Sequence, residues 1–465
     1  MDNFFWPVEF SDNKVKDAFG GRLCCYVIAL EAWRRGLEVT LKDGRCRYFS
    51  ISGNGRKVDF DKSSSEFNSA EGKRNCIDKQ KTKHYLLARG IPTPEGRMFD
   101  AGNGFHDALV YAEELGYPVV VKPVRGSVGI GVFTDIKDAK RLEECFDYNY
   151  NVLGKSKIIV ERQVRGEDYR AYVVGGNVSA VVQRVPANVT GDGVSTIFDL
   201  IKNKNSIRKK NPFLSKGLIK VDREVMFYVG AAGLTLDSVL EAGFNLQLRG
   251  KANASSGGDV IDVTETIGQH LKEVALNSVK AIPGLFQGGV DILYDAFSGD
   301  VSVLEINYRA HIGVNMYPTE GIGRSVPKDI VDSLFPDFPR RREKIYNRLV
   351  FDIKSAMDLM KRGVAKDVTI AAVNYPKGKR LKHVKVEFSY SDIQQCEKVF
   401  AKAFVLGING SARFLSRGAV IYLSSSEEAV DKLVSYIEST VGRAISIKSW
   451  RGVICQGFKI HRKME

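Results

Sequence analysis

Three oxygen-bearing side chains stand close together in GGVDILYDAFSGDVSVLEIN, residues 288–307: Asp291, Glu305 and Asn307. Strand side chains alternate faces, so Glu305 and Asn307 point the same way. The small and polar run Ala296-Phe297-Ser298-Gly299-Asp300 reads as a turn, and a hairpin would bring Asp291 opposite that pair. Two carboxylates and an amide oxygen on one spot suit a hard cation such as Mg²⁺, or Mn²⁺ in its place. Such an ion takes few protein ligands and fills its shell with phosphate oxygens and water. An ordinary hairpin with its acids in water is the competing reading.

A second group of residues could hold phosphate. Tyr117-Pro118-Val119-Val120-Val121-Lys122-Pro123 is an apolar strand ending in lysine, followed by Arg125-Gly126-Ser127-Val128-Gly129-Ile130-Gly131. Glycines let backbone N–H groups wrap phosphate oxygens, here at Gly126, Ser127, Gly129 and Gly131, and Lys122 adds a point charge. No G-x-x-x-x-G-K-[ST] pattern occurs, so this is not a Walker A loop. Considered alone it could be a plain strand–turn–strand. Ile158-Ile159-Val160-Glu161 is another apolar strand ending in an acid, and Glu167 follows shortly after. A strand end can read adenine and a carboxylate can hold ribose hydroxyls, which makes Glu161 and Glu167 candidates; two exposed loop acids are the alternative. Leu246–Gly258 is a basic, small-residue loop that could close over phosphates or remain a surface turn.

The elements that must position these residues follow from local signals. Asp78 caps a helix through Leu87, which ends at Gly90. A second helix covers Asp107 to Leu115 and a third Gln269 to Ala281, leading into the hairpin. Near the N-terminus, Cys25–Gly36 reads as a helix and Leu37–Leu41 as a strand, with no chemistry attached.

The chain of 465 residues is long enough for two or three domains, with 44% hydrophobic and 27% charged residues. No apolar run approaches the length of a membrane helix, and the N-terminus lacks a secretory pattern. Seven cysteines are scattered without C-x-x-C pairs, as in a reduced cytoplasmic protein. A net charge of +14 attracts anions. The basic residues, including Arg208-Lys209-Lys210, Arg340-Arg341-Arg342 and Lys377-Gly378-Lys379-Arg380, are not interleaved with aromatics, so nucleic acid is not the expected partner.

Taken in order, Asp78-Lys79, YPVVVKP with its glycine loop, IIVERQVRGEDYR and GVDILYD…VLEIN resemble the ATP-grasp superfamily of carboxylate–amine ligases. The resemblance covers roughly residues 76–340. QRVPANVTGDGVSTIFDLI, LRGKANASSGGDVIDVT and GRSVPKDIVDSLFP are most similar to the ligase domain of cyanophycin synthetases and to the ATP-grasp half of fused glutathione synthetases. It implies that Lys79 and Lys122 hold the phosphates of ATP and that Asp291, Glu305 and Asn307 carry the metal. Arg249, with Asn253, would stabilise the transferring phosphoryl group, and Arg170 and Arg184 would lie near phosphate or substrate carboxylate. The sequence departs from cyanophycin synthetases in lacking a second, P-loop ligase domain. It also departs at Tyr308-Arg309-Ala310-His311-Ile312-Gly313, which leaves the acceptor open.

Beyond Phe335-Pro336-Asp337-Phe338-Pro339 the order is β-α-β-β-α-β, a ferredoxin-like pattern. Leu406–Arg413 resembles the acylphosphatase family. Val386–Asp392 has no arginine, and Phe414 stands in place of that family's asparagine, so an acylphosphatase-like domain without the activity is expected. The fold class is therefore α/β (α+β), with an N-terminal region at 1–75, an ATP-grasp domain at 76–340 and a ferredoxin-like domain at 341–465. The expected activity is an ATP- and Mg²⁺-dependent, ADP-forming ligation of an amino acid or peptide carboxylate to an amine, by a cytoplasmic homo-oligomer with no membrane partner. Modification of a protein or polymer terminus and a non-catalytic ATP-binding regulator are the rival readings.

Overall fold

The computed structural model describes residues 5–20, 22–126, 130–340, 346–373, 381–416, 418–441 and 445–461. Two compact units result: one of residues 1–6 and 63–333, the other of residues 7–62 and 334–465. This division differs from the three consecutive domains expected, because the N-terminal region and the C-terminal part belong to one unit.

The 63–333 unit holds two antiparallel sheets that matter for the site. The four-stranded one runs in the order Gly96–Asp100, Lys157–Arg162, Val119–Pro123, Phe133–Ile136. Helices Phe105–Leu115 and Ala139–Asp147 bury Ala108, Leu115, Leu142 and Phe146 against its Val119, Val121, Ile158 and Val160. The five-stranded sheet runs Asp259–Asp262, Asn177–Val185, Glu167–Val174, Gln287–Tyr294, Val301–Asn307. Alternation gives it two unlike faces. Tyr169, Ala171, Val173, Val290, Ile292, Val303 and Ile306 pack on Leu271, Val274, Ala275 and Val279 of helix Gln269–Ala281. The residues between them, Asp168, Arg170, Asp291, Glu305 and Asn307, occupy the opposite face.

In the other unit, strand Val368–Ile370 pairs with Glu38–Leu41, which continues through Tyr48–Gly53 to Arg56–Asp61. Helix Leu23–Arg34 is buried along its whole length, as its apolar composition requires. This long-range pairing is why residues 7–62 fold with residues 334–465. Strands Leu381–Phe388, Asn409–Leu415, Gly418–Ser426 and Ile445–Ser449 with helices Ile393–Val405 and Glu427–Val441 follow the β-α-β-β-α-β order. Phe458–His461 adds an edge strand parallel to Asn409–Leu415. Phe414 is buried there, edge-on to Phe400 and Tyr390. Six of the seven cysteines are buried, and all are free thiols. No helix among the described residues is long and apolar enough to cross a membrane.

Candidate functional site

The hairpin Gln287–Tyr294 and Val301–Asn307 sets Asp291 directly opposite Glu305, and Gly289 opposite Asn307. On the other side of the same strand, Asp291 faces Arg170. The register thus forces acid beside acid beside arginine across three strands. Arg170 grips Asp291 with Nε and Nη2, each 2.6 Å from a carboxylate oxygen, and Arg184 approaches it at 3.3 Å. Arg184 also donates to Asp168, at 2.8 and 2.5 Å. Burial alone would raise the Asp291 carboxyl, but Arg170 and Arg184 outweigh it and hold the group down at about 2. Asp168 lies nearby under weaker compensation. Burial and the charge of Asp291 push it up, to about 6, against the pull of Arg184.

Glu305 is more open. Asn307 donates to its Oε1 at 2.9 Å, and the Lys79 ammonium lies 3.6 Å from its Oε2. Lys79 opens helix Lys79–Leu87, whose first N–H groups are capped by the Asp78 carboxylate. The same ammonium donates to the Gly126 carbonyl at 3.1 Å, so one lysine joins the glycine loop to the acidic hairpin. Gly131 has φ 76°, and Asn149 donates to its carbonyl at 3.1 Å; a Cβ there would sit 2.4 Å from Asn149 Oδ1. Ser127 and Gly129 lie outside the described residues.

Lys83, one helical turn on from Lys79, was not singled out by the sequence reading, although i and i+4 share a helix face. Its ammonium lies 2.8 Å from Glu161 Oε2 and donates to the Pro94 carbonyl at 2.5 Å. Lys122 lies 2.5 Å from Glu161 Oε1. Glu161, 3% exposed, is therefore a bridge between two lysines, themselves 5% and 6% exposed. A carboxylate so buried must be met by cations, and these two ion pairs are partners of Glu161 that its expected role at adenine or ribose did not include. Burial lowers the Lys83 pKa, Glu161 counteracts this, and the charge of Lys122 adds to the lowering. Gly96 lies opposite Glu161, where a Cβ would come within 2.5 Å of Glu161 Cβ. Glu167 is exposed and accepts from the Tyr169 hydroxyl at 2.7 Å.

Arg249 and Asn253 stand apart from these contacts. Arg249 pairs with Asp222 and Glu224, each at 2.5 Å, at the N-terminus of helix Arg223–Ala231. Asn253 accepts from Ser255 N at 3.0 Å and caps the turn Ala254–Ser256. The expectation that both face phosphate overlooked these nearer partners. The loop nevertheless approaches the phosphate-loop side, since Lys251 donates to the Val132 carbonyl at 3.2 Å.

Residues 76–196 match the profile described as RimK-like ATP-grasp domain. The chain carries an ATP-grasp domain. Cyanophycin synthetase of Trichormus variabilis is 36% identical over 269 residues, 56% of this chain and 29% of that protein. A glutathione biosynthesis bifunctional protein of Clostridium perfringens is 30% identical over 329 residues, 67% of this chain and 41% of its own. The chain thus spans less than half the length of these curated relatives. The crystal structure of a bifunctional glutathione synthetase from Pasteurella multocida shares the fold, with a TM-score of 0.52 at 22% identity over 66% of this chain and 43% of that one.

The donor set of the ATP-grasp domain fits a hard divalent cation. Asp291, Glu305 and Asn307 are hard oxygen donors of the kind such an ion takes, but Arg170 now occupies both oxygens of Asp291 and Lys79 lies beside Glu305, so the ion would have to take the place of these cations.

Proposed function

We propose that this protein is an ADP-forming ligase that joins the carboxylate of an amino acid or peptide to an amine at the expense of ATP. The observation that carries the reading is Lys79, whose ammonium reaches both the Gly126 carbonyl and Glu305 and so unites a phosphate-type loop with a metal-type hairpin. Lys79 and Lys122 bind the phosphate chain under the Gly126–Gly131 loop. A substrate carboxylate oxygen attacks the γ-phosphorus, and ADP leaves. The amine nitrogen then attacks the acyl phosphate carbon, inorganic phosphate departs, and the amine gives up a proton. Such transfer depends on positioning and charge neutralisation rather than on a protein nucleophile. The residues gathered here supply both.

Glu305 and Asn307, with Asp291, would hold Mg²⁺ or Mn²⁺, which neutralises phosphate charge when bound. Arg170 and Arg184 steady Asp291 and lie where the transferred phosphoryl or substrate carboxylate would pass. Arg249 serves the phosphoryl group if it exchanges Asp222 and Glu224 for phosphate oxygens. The test is a screen of amino acids and dipeptides for stimulated ADP release, with mass detection of the products. A product heavier than its acid by the amine less water is expected. ATP binding with no carboxylate-stimulated ADP release would overturn the ligase reading.

A further inference from the structure

One buried group in the nucleotide region is short of an anion. Glu161 is a single carboxylate between the ammonium groups of Lys83 and Lys122, at 2.8 and 2.5 Å. Among the described residues, Lys122 has no other ion pair and Lys83 adds only the neutral Pro94 carbonyl, while Glu95, which acts on Lys83 from further off, is itself paired with Arg162 at 3.2 Å. Two cations facing one anion leave a surplus of one positive charge in a site almost closed to water. Buried charge without a counter-charge is unfavourable, so such a site favours an incoming anion. Were Lys83 absent, Glu161 and Lys122 would form a neutral pair, and the strand lysine would have little charge left to offer.

We propose that Lys83 is a positioning residue that sets the charge of the nucleotide site. By sharing Glu161 with Lys122, it leaves Lys122 free to face a phosphate oxygen of ATP or ADP. Its helix makes this possible, since Lys79 and Lys83 lie one turn apart on one face. Lys79 thus reaches the loop and Glu305 while Lys83 reaches Glu161. Gly96 completes the arrangement by leaving the Glu161 backbone room that a side chain would take. The inference rests on the nucleotide reading above and adds a residue that reading does not use.

The test counts charge. Calorimetric titration with a non-hydrolysable ATP analogue and with ADP is run on the wild type, Lys83→Met, Lys83→Arg and Lys83→Met/Glu161→Gln, with thermal melting as a check of folding. Lys83→Met is expected to weaken binding about 10–100-fold and to raise KM for ATP more than it lowers kcat. Lys83→Arg keeps the charge and stays within about threefold of the wild type. The double variant restores the surplus charge by removing the acid, and is expected to bind at least about fivefold more tightly than Lys83→Met alone. A purely packing role would make the double variant worse, not better. Binding by Lys83→Met within about twofold of the wild type, or no recovery in the double variant, overturns the assignment of Lys83 alone. Failure of the wild type to bind either nucleotide overturns the nucleotide reading itself.

Discussion

Glu161 and Glu31 are both buried acids lying between two basic side chains, in different units of the molecule. Glu31 meets Arg35 at 2.7 Å and Arg340 at 2.7 Å, and Arg340 goes on to Glu9 at 2.8 Å. Two carboxylates therefore pair directly with two guanidinium groups, and a third, the buried Arg34, feels the charge of both acids while donating to the carbonyls of Leu349 and Glu9. Around Glu161 one carboxylate faces two ammonium groups. The first group satisfies itself and ties Pro7–Lys62 to residues 334–340. The second is left with charge to offer. Ion pairs that look alike in a contact map can thus have opposite purposes: the arginines around Glu31 are also held by backbone carbonyls, whereas Lys122 has Glu161 alone as its ionic partner among the described residues.

That distinction can be attacked from both ends. Arg35→Met leaves Glu31 with one arginine in a buried site, and the expected cost is about 3–5 kcal/mol of unfolding free energy. Denaturant melts read it, with nucleotide binding unchanged in whatever fraction remains folded. Glu305→Gln does the reverse: turnover falls about 10²–10³-fold, while the melting transition stays within a degree or two. Gly96→Ala lies between them, because the new methyl meets the Glu161 backbone and Cβ. It is expected to cost about 1–3 kcal/mol and to weaken ATP binding as well. An alanine variant with unchanged nucleotide affinity would separate Gly96 from the role of Lys83, Glu161 and Lys122.

The smallest effect belongs to His383 in the C-terminal unit. Burial lowers its pKa from 6.5, and the ring Nε2 contacts the Gly452 carbonyl at 3.1 Å. The unfolded chain takes up a proton near 6.5 while the folded one resists, so the contribution is full above that pH. It is lost as pH falls below 6.5 toward the depressed folded value. His383→Gln should flatten the slope of melting temperature against pH below about 6.5, by an amount set by a single proton.

Much of this was legible in the chain itself where the signal was local. The Asp78 cap, the helix to Leu87, the strand carrying Lys122 and the hairpin that sets Asp291 opposite Glu305 all follow from short-range rules. Lys83 could have been read too, from its i+4 offset, but its partner Glu161 lies 78 residues on. The ion pairs of Arg249 were illegible for the same reason: Asp222 and Glu224 come together with it only through the turns between them. Distant pairings carry no local mark, which is also why the alliance of residues 7–62 with 334–465 was missed.

The Trp33 indole donates to the Ala371 carbonyl 338 residues further along, and Glu38–Leu41 waits for Val368–Ile370 as its edge partner. During synthesis, the stretch 63–333 emerges whole before those partners exist. It can therefore collapse around its own core while the first sixty residues remain unfinished on one side. A chain truncated after residue 340 should yield a protease-resistant fragment that is cut within residues 7–62, and full protection of that stretch should require a chain that includes the strand at 368–370.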